Sequence, residues 1–193
     1  MVAIAKDAYS QGFDEINYDY IRFPSDGNMK DIYYPISKEA SKTGALKSFY
    51  NYIHTNLSGS GLVLSADLFG MVATNVDDLG IGQLLEDAMP NFDYVSPMVY
   101  PSHFPNGWNG YKNPALHPYD VIKITMDKAG SRAESAGFTK DKIRPWLQDF
   151  DMGAVYTADM VREQIKATND AGLSSWMLWD ASNRYTKEAL LSN

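Results

Sequence analysis

The chain has no cysteine, which removes disulfides, thiolate nucleophiles and thiolate-bound metals. Histidine is nearly as scarce. His54, His103 and His117 are the only three, and no H-E-x-x-H spacing joins them. A metal hydrolase is therefore disfavoured, and no metal or other cofactor is expected. Basic residues are outnumbered, 17 against 24 acidic, for a formal charge of −7. Binding nucleic acid needs a Lys/Arg-rich face, so this balance argues against it and against an anionic membrane surface. No apolar run approaches the ~20 residues of a membrane span. The N-terminus also lacks the charged-then-apolar pattern of a signal peptide; a chain cut from a longer protein would look the same. Neither G-x-G-x-x-G nor G-x-x-x-x-G-K-[ST] occurs, so no glycine loop for phosphate is present. G-x-S-x-G is missing too, and Gly59-Ser60-Gly61 precedes a strand rather than following one. Acyl-transfer chemistry is set aside on that ground.

What remains is ordinary in bulk and ordered in pattern. The 193 residues, 45% hydrophobic and 21% charged, suit one domain with a substantial core. Helical and extended segments alternate throughout. Ala5, Ala8 and Tyr9 share a helical face that Gly12 ends, and a strand over 14–23 follows. Ser37 is read as the cap of a long helix whose apolar face is Leu46, Phe49, Tyr50, Ile53 and Leu57. A strand over 62–69 comes next, then a helix capped by Asp77 or Asp78 with Ile81, Leu84, Leu85 and Ala88 inward. Strand 92–100 and a long loop lead to Pro118, placed to open a helix over 118–136. Strand 143–149, a helix from Thr157 to Ala171, strand 174–180 and a short last helix complete the chain.

Helices between every pair of strands imply right-handed crossovers and a parallel sheet. A doubly wound sheet and part of a (β/α)8 barrel both fit. The chain opens with a helix and lacks a phosphate loop. Glu15, Asn17 and Asp19 share one strand face by period two, as do Ser65 and Asp67. Polar residues pointing at a common axis favour a partial barrel of about five parallel strands.

Four of the five strands carry an aspartate at or near the C-terminal end: Asp19, Asp67, Asp149 and Asp180. All strand C-termini of such a sheet lie on one rim, where α/β folds keep their chemistry. With Tyr100, His103, Trp146, Trp176 and Trp179 nearby, the rim reads as a carbohydrate-processing site. Alternation puts Arg144, Trp146 and Gln148 inward, which makes Gln148 a stronger substrate contact than Asp149. Trp146 and Trp179 are the candidates for stacking on sugar rings, and Arg22 could hold Asp19 ionised. Asp180 is balanced between binding substrate and capping the next turn.

Four strings resemble a known family. They run from Phe13 to Pro24 (F-D-E-I-N-Y-D-Y-I-R-F-P), Leu64 to Gly70 (L-S-A-D-L-F-G), Tyr94 to Phe104 (Y-V-S-P-M-V-Y-P-S-H-F) and Ile143 to Phe150 (I-R-P-W-L-Q-D-F). The family is the bacterial glycoside hydrolase domain of the TIM-barrel glycosidase clan, long treated as a domain of unknown function. The resemblance covers most of the chain and implies a poly- or oligosaccharide substrate and an extracytoplasmic or cell-envelope setting. It matches the segment from Phe13 to a fourth barrel strand, so the first three strands of the ~250-residue fold are expected to be missing. By the same resemblance Asp19 would be nucleophile or base, and Asp67 the proton donor. Glycoside hydrolysis needs two carboxyl groups ~5–5.5 Å apart for retention or ~6.5–9.5 Å for inversion. Neighbouring strands ~4.8 Å apart can supply either. The alternative is a non-catalytic carbohydrate-binding module derived from such a barrel, because aspartate is shorter than glutamate and must approach the bond more closely. Another TIM-barrel lyase or isomerase is a weaker third reading.

Strands 14–23 and 174–180 would be unpaired edges, and exposed edges promote association. The chain is therefore expected to self-associate, or to cover its edges with its terminal helices, and to hydrolyse poorly alone. Light scattering checks this, and a clean, fully active monomer at high concentration would contradict it.

Overall fold

The computed structural model describes residues 1–35, 37 and 40–190. Five strands, β1 (Glu15–Tyr18), β2 (Val63–Phe69), β3 (Tyr94–Met98), β4 (Trp146–Gln148) and β5 (Met177–Trp179), pair in sequence order, every pair parallel. Helices α1 (Val2–Ser10), α2 (Lys42–Leu57), α3 (Leu85–Ala88), α4 (Pro118–Ser135) and α5 (Ala158–Asp170) alternate with them. The sheet curls into half a barrel, the partial TIM barrel that the alternating pattern implies. Among the described residues no helix is long and apolar enough to cross a membrane.

Period two divides the sheet into two chemistries. Leu64, Ala66 and Leu68 of β2 and Val95 of β3 are buried in the apolar core, together with Tyr50, Ile53 and Leu57 of α2 and Val121, Ile122 and Met126 of α4. Their neighbours in sequence, Ser65, Asp67 and Ser96, face the concave side and are buried although polar. There Arg144 pairs with Glu15 through both carboxylate oxygens, and the Ser65 hydroxyl donates to Glu15 Oε1 at 2.6 Å. The Arg144 guanidinium also lies 4.2 Å over the Tyr94 ring. Burial opposes ionisation of Glu15, but the Arg144 and Ser65 hydrogen bonds outweigh it and hold the carboxyl below its ordinary range. One cluster thus ties β1, β2 and β3 to the start of β4.

Several boundaries differ from the sequence reading, each for a local reason. The cap of α2 is Ser41, whose hydroxyl accepts the Gly44 amide at 3.0 Å; Ser37 lies in the preceding turn. The helix expected after Asp78 shrinks to one turn. Asp78 does act as a cap, but of a loop, accepting the Gly80 and Gly82 amides at 3.0 and 3.1 Å. Leu79, Gly80 and Gly82 all have positive φ there, which a helix cannot contain. β1 stops at Tyr18 because Tyr20 turns left-handed, with φ 55°. Pro97 and Pro145 have no N–H to donate. The β3–β4 ladder accordingly thins to the Met98–Trp146 pair and the Val95–Ile143 bridge. Gly70 follows β2 where a Cβ would lie 2.2 Å from the Met98 carbonyl oxygen, so only glycine lets these two strand ends meet. Thr157 caps α5 and Pro118 opens α4.

Candidate active site

The C-terminal ends of the strands enclose a cavity of about 440 Å³, and Asp19, Tyr20, Arg22, Asp67, Tyr100, His103, Trp146 and Trp179 contribute to its walls. Gln83 reaches it from the loop before α3. Its amide donates to the Ile21 and Asp67 carbonyls at 3.2 and 3.3 Å, and its Oε1 accepts the Phe69 amide at 2.8 Å. Arg132 of α4 fixes the adjoining segment by donating to the Val72 and Asn75 carbonyls and bidentately to Glu86.

Asp67 is the organising residue. It is 6% exposed, and its Oδ1 accepts both Asn17 Nδ2 at 3.0 Å and Trp146 Nε1 at 2.8 Å. Oδ2 has no protein partner among the described residues. Burial pushes the carboxyl from an ordinary 3.8 to about 6. The hydrogen bonds from Trp146 and Asn17 and the charge of Arg144 oppose the rise, and the negative charge of Asp19 adds to it. Asp19 is exposed at the rim, with its Oδ1 accepting the Tyr20 amide at 2.7 Å. The Tyr100 hydroxyl is pushed upward by burial and then by the charges of Asp67, Asp19 and Tyr185, and Tyr100 lines the same cavity as both carboxyl groups. Burial lowers the pKa of His103, whose ring lies 5.2 Å from that of Tyr100. Trp179, 41% exposed, meets Trp146 edge-on at 5.9 Å.

Other expected contacts lie elsewhere. Arg22 lines the cavity but forms no ion pair with Asp19 among the described residues. Its Nη1 donates to the Phe23 carbonyl and the Ser25 hydroxyl, and its guanidinium covers the Tyr20 ring. Gln148 is buried with both ends engaged: Oε1 accepts the Ser102 amide at 3.1 Å, and Nε2 donates to the Phe150 carbonyl at 2.9 Å. Asp149 accepts the Thr186 amide and hydroxyl at 2.7 and 2.6 Å. Asp180 caps the turn after β5, where the amide and hydroxyl of Ser182 and the amide of Arg184 hold its carboxyl below the usual range. None of these three lines the cavity. Trp108 packs on Phe104 and Trp176 on the core. Asn17 and Tyr20 were missed as individual site residues. Period two placed Asn17 on the right face, while nothing in the sequence marks the bend at Tyr20.

Fold and cavity together define a TIM-barrel domain, open at one side, with its cavity at the strand C-termini. The chain belongs to the family described as "Putative glycosyl hydrolase domain", whose sequence pattern matches residues 1–185. Among solved structures it is similar to the PgaB (BpsB) glycoside hydrolase domain from Bordetella bronchiseptica, at 18% identity and TM-score 0.55, over 77% of this chain and 41% of that one. It is also similar to the spore cortex-lytic enzyme SleL from Bacillus cereus, at 12% identity and TM-score 0.64, over 98% of this chain and 51% of that one. SleL from Bacillus megaterium matches at 14% identity and TM-score 0.63, over 97% and 50%. The chain therefore spans about half, or less, of these proteins. A comparison with curated proteins finds no match.

The raised value of Asp67 has a stability consequence. A folded-state pKa above the unfolded one favours the fold when the group is protonated. The contribution is complete below about 3.8 and is lost as pH rises through about 6. Asp67→Asn keeps an oxygen for Asn17 and Trp146 and removes the ionisation. Urea unfolding should show it more stable than the parent at pH 8 by up to roughly 3 kcal/mol, with the gain vanishing near pH 3.5. An equal difference at both pH values would contradict the buried-acid reading.

Proposed function

We propose that this domain hydrolyses a polysaccharide with Asp67 as general acid and Asp19 as the second carboxyl group. The observation that carries this reading is Asp67 itself. A buried carboxyl with a pKa near 6 keeps its proton far better than an ordinary aspartate, as a group protonating a leaving glycosidic oxygen must. With Oδ1 occupied by two donors, Oδ2 is the oxygen left to carry and deliver that proton. Asp19, which lines the same cavity, acts on the sugar's other face as nucleophile or as the base that activates water. Trp146 and Trp179 offer ring faces to a pyranose, while Tyr100 and His103 supply polar groups for its hydroxyls. Family membership supports the reaction class. The names of the similar structures, a glycoside hydrolase domain and cortex-lytic enzymes, support a polymeric glycan.

The test is reducing-end release from α- and β-linked glucans, galactosaminoglycan and peptidoglycan, by this chain and by any longer polypeptide that carries it. Asp67→Asn and Asp19→Asn should each lower turnover by at least ~10²-fold while the fold persists. Activity that survives both substitutions would overturn the assignment. Glycan binding with no product from any substrate would instead indicate a non-catalytic module.

A further inference from the structure

Among the described residues, four other than glycine have positive φ: Tyr20, Leu79, Asn109 and Asn183. Asparagine adopts this conformation readily, whereas a bulky side chain is strained in it. Leu79 packs against the core. Tyr20 has no such compensation, since it is 77% exposed. Its backbone bonds, from its amide to Asp19 Oδ1 at 2.7 Å and from the Arg22 amide to its carbonyl at 2.9 Å, are open to any residue and do not call for tyrosine. What distinguishes the side chain is its position. It lines the cavity directly beside Asp19, and the Arg22 guanidinium, anchored on the Phe23 carbonyl and the Ser25 hydroxyl, lies over its ring at 5.3 Å from the centroid. Strain of this kind persists where the surroundings impose it, and it gathers at sites of function.

Building on the glycosidase reading above, we propose that Tyr20 is a sugar-stacking platform at the mouth of the cavity. One ring face is backed by Arg22 and the other receives a pyranose. Tyr20 follows the end of β1 and Trp179 closes β5, so the two exposed aromatics stand at the two edges of the half-barrel. A glycan crossing the cavity would meet an aromatic face at each edge, with Asp19 and Asp67 between them. An apolar ring face on an aromatic, with the hydroxyls left to polar groups, is the chemistry such a pair recognises.

Titration calorimetry with chitohexaose, cellohexaose and maltohexaose as probes tests this on the parent chain and on Tyr20→Gly, Tyr20→Asn and Tyr20→Phe. Glycine and asparagine both tolerate the left-handed backbone, so those variants should fold without a lower Tm and bind the recognised probe roughly tenfold more weakly. Tyr20→Phe keeps the ring and should bind like the parent. Unchanged affinity in both ring-deleted variants would overturn the platform while leaving the roles of Asp19 and Asp67 standing. A lower Tm in both would make Tyr20 a structural residue and overturn it as well. If the parent binds none of the three probes, the platform fails for these glycans, and the hydrolysis assay above decides the wider reading separately.

Discussion

Arg144, two residues before β4, reaches across the concave face of the sheet to Glu15 at the start of β1. This contact bypasses the β2 and β3 ladders, so it constrains the curl of the sheet directly. The hydroxyl of Ser65 and the ring of Tyr94 complete the same layer. Because strand side chains repeat every second residue, that layer sets the next one. Two residues further along, Asn17 and Trp146 converge on Asp67 from opposite sides. Desolvation offsets much of what a partly buried charge pair gains, so the intact pair is expected to matter more for shape than for net stability. Removing one partner alone would leave an unpaired charge and destabilise the fold.

The arrangement explains why a buried acid is tolerated above it. Asp67 is desolvated, and its one strong source of compensation is the pair of neutral donors on Oδ1. Neutral donors fix the orientation of the carboxyl without the full charge that would drive it to ionise. Arg144, the cation whose charge lowers the Asp67 value, is already bound to Glu15. The site thus gives up stability at neutral pH and leaves a carboxyl that keeps its proton to higher pH than an ordinary aspartate does.

Much of this fold was legible in the residues. Alternation within the strands separated Leu64, Ala66 and Leu68 from Ser65 and Asp67, and it turned Arg144 and Trp146 inward, which is how they lie. Pro118 and Gly12 marked helix boundaries through fixed backbone preferences. The errors fell where several residues competed for one role. Ser37 and Ser41 are equally good caps by type, and only the fold chooses between them. The apolar run from Ile81 to Ala88 carries helical spacing, but Gly80 and Gly82 and the Asp78 carboxylate give its start a turn. At the site, Asp149 and Asp180 had the same position at strand ends as Asp67. What separates them is where the following chain goes: Thr186 folds back onto Asp149, and Ser182 and Arg184 onto Asp180, while among the described residues no donor returns to Asp67 Oδ2.

Burial in the half-barrel lets Asp67 keep its proton up to about pH 6, well above the ordinary aspartate range, and the proposed acid role depends on this. Carbon-detected NMR titration of its side-chain carboxyl measures this without a substrate. A midpoint near 6 is the expected result. A midpoint near the ordinary 3.8 would show that the buried carboxyl ionises freely and could not serve as the acid.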